Sequence, residues 1–141
     1  MSNEWKDYQN DLRAIFNDKM HEADFLYDGW CNSFVPAMMD ELFNALGTYV
    51  EDFVVHQIKE KYGSLTIYWG WNHRDYTDEE NKDRKEIDDE VRNIVEKYRK
   101  ISEHTCVQCG GKATFFSSHW VIPWCKSCRS TQLGVFAYIE D

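Results

Sequence analysis

The chain has 141 residues, 43% of them hydrophobic and 16% aromatic, enough apolar material for a buried core, which excludes a disordered tail protein. Its 25 acidic residues outnumber 16 basic ones for a net charge of -9. That balance excludes a surface that grips phosphates throughout, although a local basic patch is still allowed.

Trp5, Tyr8, Leu12, Ile15, Phe16 and Met20 fall at helical spacing, with Asp7, Asp11, Arg13, Asp18 and Lys19 largely opposite them. This pattern predicts a surface helix over residues 4–22 with one buried stripe. Asp28-Gly29-Trp30 reads as a turn. A second helix starts near Pro36, runs through Met39, Leu42, Phe43 and Leu46, and stops at Gly47. Phe53–Ile58 and Leu65–Trp69 are rich in β-branched and aromatic residues and predict a β-hairpin. Lys59–Ser64 connects them, with Gly63 free to take the positive φ of a tight turn. Asn72–Tyr76 is a polar loop. Thr77 and Glu80 then have the spacing of a capping box. Ile87, Val91, Ile94, Val95, Tyr98 and Ile101 form the apolar face of a long helix that ends near Ser102.

Cys106-x-x-Cys109-Gly110 is followed after fifteen residues by Cys125-x-x-Cys128. Two such pairs supply the four thiolates that zinc takes in a closed tetrahedral site, and the spacing is that of a zinc ribbon. Phe115, Phe116, Trp120 and Val121 supply a short hairpin between the pairs, and residues 133–139 predict a last strand tying the ribbon back to the body. A closed four-thiolate site is structural: it folds a segment too small to fold alone. A thioredoxin-like redox pair would need a βαβ context that is missing. A zinc deaminase would need His-x-Glu, and His119-Trp120-Val121 has no glutamate. Cys31 reads as a buried small apolar residue. His56 falls in a strand, His73 in a loop and His104 just before the first cysteine pair. No motif gives any of them a nucleophile or carboxylate, so no catalytic residue is assigned.

The long helix carries Asp78, Glu79, Glu80, Asp83, Glu86, Asp88, Asp89 and Glu90 in its first half. Carboxylates in the first turn are explained by the helix dipole, but the run continues beyond it. It reads either as a solvated face or as an electrostatic lure for a basic protein surface. Trp69 and Trp71, at i and i+2 of a strand, share one face. Trp5 and Trp30 fit the core, while Trp120 and Trp124 flank the second cysteine pair.

The stretch Val55-His56-Gln57-Ile58-Lys59-Glu60-Lys61-Tyr62-Gly63-Ser64-Leu65-Thr66-Ile67-Tyr68, the amphipathic helix after it, the Cys106-x-x-Cys109-Gly110 knuckle and the Trp-containing segment before Cys125-x-x-Cys128 resemble a family of small uncharacterised proteins. Such proteins are common in bacteriophages, prophages and their hosts, and the likeness spans residues 50–128. The chain departs from the pattern at Thr66, where a basic residue is expected, and at Cys128, where a histidine is frequent and would ligate equally well. The resemblance implies a phage-like setting and no established activity.

The expectation is therefore an α+β protein: helices packed on a β-hairpin, with a C-terminal four-cysteine zinc ribbon. Residues 1–103 would form an acidic α+β body and residues 104–141 a zinc-ribbon module packed on it. Cys106, Cys109, Cys125 and Cys128 would hold one structural Zn2+. The expected function is that of a non-enzymatic protein-binding factor, a phage-type inhibitor or modulator of a host or defence protein such as a nuclease. Asp83, Glu86, Asp88, Asp89, Glu90, Trp69 and Trp71 would meet the partner's basic surface. The alternative is a zinc-ribbon nucleic-acid-binding or transcription-regulating protein that uses Lys112, Lys126 and Arg129. No apolar run is long enough for a membrane span and no secretion signal is evident, so a cytoplasmic location is expected.

Overall fold

A computed structural model of the chain describes residues 22–23, 27–117, 122–129 and 136–138. The helix expected over residues 4–22, and Trp5 with it, lies outside the described residues except at its end. There Glu22–Ala23 form a two-residue strand, β1, in place of helix.

Asp28–Ser33 is a short helix, α1, and not the expected turn. Contacts distant in sequence decide this. The Gly29 amide donates to the Val107 carbonyl at 2.8 Å, and the fully buried Trp30 indole donates to the Thr105 carbonyl at 3.0 Å. Such tertiary bonds override the turn preference of Asp-Gly. Helix α2 spans Val35–Leu46, with Pro36 in its first turn and Gly47 at its end, where a φ of 55 suits glycine. Gly47–Asp52 continues as a 3-10 helix that leads into the sheet.

The hairpin strands, β2 (Phe53–Lys61) and β3 (Ser64–Trp71), run further than their apolar cores. Lys59–Lys61 and Ser64 belong to the strands, because the backbone ladder continues past the point where burial ends. The connection is only Tyr62-Gly63, with φ of 52 and 83. Two positive φ values match the strand twist in a two-residue turn. The register shifts between Val55 and Gln57, which leaves His56 as an extra residue. Strict alternation would turn Ile58 away from the side occupied by Phe53 and Val55; the bulge returns it to the core. β1 pairs parallel to β2, so the order of this sheet is β1-β2-β3.

Helix α3, Asp78–Glu103, opens with the expected capping box. The Glu80 amide donates to Thr77 Oγ1 at 3.1 Å, and the Thr77 amide donates to Glu80 Oε1 at 2.9 Å. Arg74 beside it and the Thr77 amide hold the Glu80 carboxyl down at about 2. Arg74 also bonds Asp52, and its guanidinium and that of Arg84 lie 3.9 and 3.6 Å from the Tyr76 ring centre. These contacts fix the loop between β3 and α3.

One core joins the elements: Met38, Met39, Leu42 and Leu46 of α2, Phe53, Val55 and Ile58 of β2, Leu65 and Ile67 of β3, and Val91, Ile94 and Tyr98 of α3. Trp30 and Val107 belong to the same cluster, with Ile122 and Trp124 packed against it. Apolar packing thus continues past residue 103 into the cysteine-bearing segment.

That segment contains a second sheet. β4 (Phe115–Ser117) pairs antiparallel with β5 (Pro123–Trp124) on one side and β6 (Phe136–Tyr138) on the other. The expected last strand is present over Phe136–Tyr138, and it completes the ribbon's own sheet by pairing with β4. A four-residue helix, α4 (Lys126–Arg129), follows β5. Trp120, Val121 and His119 lie outside the described residues. The chain is thus α+β, with helices on a hairpin and a C-terminal four-cysteine segment that fits a zinc ribbon. No helix among the described residues is long and apolar enough to cross a membrane.

Ser102, fully buried, joins α3 to the hairpin: its Oγ accepts the Leu65 amide at 2.8 Å and donates to the Arg99 carbonyl at 2.6 Å. Ser102→Ala leaves the Leu65 amide buried and unpaired, at a cost of about 1–3 kcal/mol. Urea unfolding should show that loss as a lowered midpoint at unchanged slope.

Candidate functional site

Two arrangements carry chemistry: a cluster of thiols in the ribbon and a line of carboxylates along α3.

Cys106 and Cys109 stand on a tight loop after α3. The Cys106 amide donates to the Gly111 carbonyl at 2.8 Å, and the Gly110 amide to the Cys106 carbonyl at 3.0 Å. Gly110 has a φ of 79, which lets the chain turn back on itself. The second pair is built differently, because Cys125 and Cys128 bracket the start of α4. There the Arg129 amide donates to the Cys125 carbonyl at 2.9 Å. In each pair a backbone amide donates to a sulfur: Gly111 to Cys109 at 3.4 Å and Cys128 to Cys125 at 3.3 Å. These bonds orient the sulfurs and favour their anionic form.

The four sulfurs all lie within 4.8 Å of one another. Cys109 and Cys125 are 3.6 Å apart, far beyond the roughly 2.05 Å of a disulfide. Four sulfurs at about 2.3 Å from a central ion would sit about 3.8 Å apart, so the cluster has the dimensions of a tetrahedral thiolate site. Cys106, Cys109, Cys125 and Cys128 can therefore hold a metal ion, and the sequence spacing identified all four. Cys31 belongs to α1.

The loop is held in place from outside. A Cβ on Gly29 would come within 2.2 Å of the Cys106 carbonyl oxygen, and one on Gly110 within 2.7 Å of the Gly29 carbonyl oxygen. The two backbones touch with no side chain between them. Sequence reasoning missed this contact, because 77 residues separate Gly29 from Cys106 and Asp28-Gly29 resembles any turn.

Burial pushes the Cys125 thiol up. The Cys128 amide and the thiols of Cys128, Cys109 and Cys106 outweigh it and bring Cys125 down to about 7. The Gly111 amide and the Cys128 thiol pull the Cys109 thiol down, but burial and the thiols of Cys125 and Cys106 leave it raised. Burial, followed by the same neighbours, pushes Cys128 up. One thiol of the cluster thus ionises near neutrality while Cys109 and Cys128 hold their protons more tightly.

Along α3, the expected partner-binding residues separate into three groups. Asp88 faces inward, and its Oδ1 accepts both the Trp71 indole at 2.8 Å and the Trp69 indole at 3.3 Å. The two half-buried tryptophans do share a face, and a carboxylate of the same chain occupies their N–H groups. Asp89 pairs with Arg92 at 3.2 Å on the surface. Asp83, Glu86 and Glu90 line a groove of about 300 Å³, whose other wall is Ala45–Tyr49. That wall contains the C-terminal end of α2, the negative end of its dipole. Tyr49 donates to Asp83 Oδ2 at 2.9 Å. That bond, burial and the charges of Asp83, Glu80 and Glu79 push the Tyr49 phenol up, as an acidic surround must. Thr48 and Tyr49 carried no motif, so their place in this groove was not legible.

In the ribbon, Arg129 lies 4.1 Å from the Phe115 ring centre, while Lys112 and Lys126 are exposed. His56 is exposed at the bulge, His73 is exposed in the loop after β3, and His104 caps α3. No family model matches the chain, and no curated protein or solved structure matches it.

A metal ion bound by the four sulfurs must displace their protons, so its affinity falls as pH falls. Competition with a chromophoric chelator should give an apparent dissociation constant that already rises as pH falls toward neutrality, because Cys109 and Cys128 carry protons there, and rises more steeply below about pH 7, where Cys125 takes up its proton as well.

Proposed function

We propose that the protein is a non-enzymatic, zinc-containing binding factor that engages a basic surface of another protein, as a phage-type inhibitor or modulator of a host or defence protein. The observation that carries this reading is the acidic groove. Asp83, Glu86 and Glu90 from α3 converge with the end of α2 on a space of about 300 Å³. A lysine or arginine side chain is the natural occupant of three carboxylates beside a helix C-terminus. The net charge of -9 extends the same preference beyond the groove and accelerates encounter with a basic partner. A nuclease channel is one such surface. The phage-like resemblance supplies the setting, and a cytoplasmic location agrees with free thiols reserved for a metal.

In this reading the ion is zinc, and its task is structural. Four sulfurs leave no open coordination position for a water or substrate. The zinc ties the two cysteine-bearing segments together at the end of the body. Arg129 is engaged over Phe115, and Lys112 and Lys126 are the only other lysines or arginines in residues 104–141, a thin basic supply for nucleic acid, so the groove favours a protein partner.

Metal analysis of the purified chain should find one zinc per molecule, and Cys106→Ser should release it and loosen the C-terminal third. A fully folded protein that lacks metal would remove the zinc assignment.

The partner is tested by capture from nuclease-treated bacterial lysate. The expected outcome is a protein retained in near-equal amount, whose association slows with added salt. Glu86→Lys with Glu90→Lys should slow that association by about tenfold or more at low ionic strength. Retention of nucleic acid alone, or capture indifferent to both reversals, would overturn the proposal.

A further inference from the structure

Among the described residues β3 is the outer strand of its sheet, and one edge of it has no neighbour. Antiparallel pairing makes successive residues direct their backbone groups alternately toward and away from the partner strand. Two bonds fix which residues face away. The Leu65 amide reaches outward to Ser102, and the Asn72 amide reaches inward to the Asp52 carbonyl. Ile67, Trp69 and Trp71 therefore present their backbone groups to the open side, where no bond from the described residues meets them. Natural edges are usually blunted by charge, proline or a bulge on the edge strand itself. Ser64-Leu-Thr-Ile-Tyr-Trp-Gly-Trp71 contains neither charge nor proline, and the bulge lies on β2.

The open half of this edge borders a groove of about 480 Å³ lined by Ile67, Trp69, Trp71, Asp88 and Arg92. We infer that a second copy of this chain docks here, edge to edge and antiparallel, so that two three-stranded sheets become one. The surface is self-complementary under a two-fold axis through Trp69. Tyr68, 43% exposed, comes opposite Gly70 of the second copy, beside the His56 imidazole that already covers that glycine, since a Cβ there would lie 2.7 Å from His56 Nε2. Ile67 comes opposite Trp71. Asp88, whose Oδ1 holds the two indoles, and the exposed Arg92, paired at 3.2 Å with Asp89 of its own helix, stand one helical turn apart at the level of Trp69, so the axis brings each copy's Arg92 toward the other's Asp88 and Asp89. The same axis sets the two α3 helices antiparallel. Their acidic halves, residues 78–90 with eight acidic and three basic side chains, then face residues 91–103, with four basic and two acidic. This surface is distinct from the acidic groove, which lies on the side of α3 next to α2, so either proposal can fail alone.

Sedimentation equilibrium of the full chain tests the pairing, with amide exchange read at high and low protein concentration. The expected result is a mass twice that of one chain and Ile67, Trp69 and Trp71 amides protected only when concentrated. Arg92→Glu, an exposed change that sets like charges together at both ends of the axis, should raise the dissociation constant tenfold or more. Its near-ultraviolet dichroism should be unchanged, which separates lost pairing from lost fold. A monomer at every concentration would overturn the inference. So would a dimer whose edge amides exchange alike at both concentrations, since another face would then hold it.

Discussion

The architecture depends on one seam, where α1 meets the loop that follows α3. Trp30 is completely buried and spends its only polar group on the Thr105 carbonyl, while the Gly29 amide takes the Val107 carbonyl. Indole burial, the indole's bond to Thr105 and one backbone bond together place the first cysteine pair against the body. Without that seam, α1 has too few residues to persist as a helix. Cys106 would lose the wall that buries it. Val107 would no longer be part of the central cluster, and the metal site would hang on a free loop.

The long helix separates two kinds of carboxylate that composition alone treats as one. Asp88 satisfies two indole N–H groups, which would otherwise be poorly paired in a half-buried setting, and so contributes to structure. Glu86 and Glu90 face the groove beside α2, where their charges can act on another molecule. Asp83 does both, since it accepts the Tyr49 hydroxyl and lines the same groove. Net charge thus overstates the field available to a partner, and the position of each acid on the helix decides its use.

Much of this was legible in the sequence wherever the physics is local. The capping box at Thr77 and Glu80, the apolar stripe of α3, the hairpin and the four thiols all follow from short spacings, and the structure has them in place. Long-range contact defeated the rest. Asp28-Gly29 reads as a turn until Val107 and Thr105 are brought against it, and the last strand's partner could not be chosen from its residues alone. The bulge at His56 left no mark in a run that looks continuously strand-like. The groove wall at Thr48 and Tyr49 is made by packing α2 against α3, which no local pattern encodes.

The four thiols are unequal in depth. Cys106 is fully buried and Cys128 nearly so, whereas Cys109 is exposed and Cys125 half-exposed. A bound ion therefore has an inner hemisphere sealed by protein and an outer edge, Cys109 to Cys125, that solvent reaches. Exchange with a chelator or a competing soft metal would begin at that edge, one sulfur at a time, while the inner pair retains its grip. With an ion bound, the centre would be in that sense a hinged clasp, its lability set by two surface sulfurs and its persistence by the core behind them.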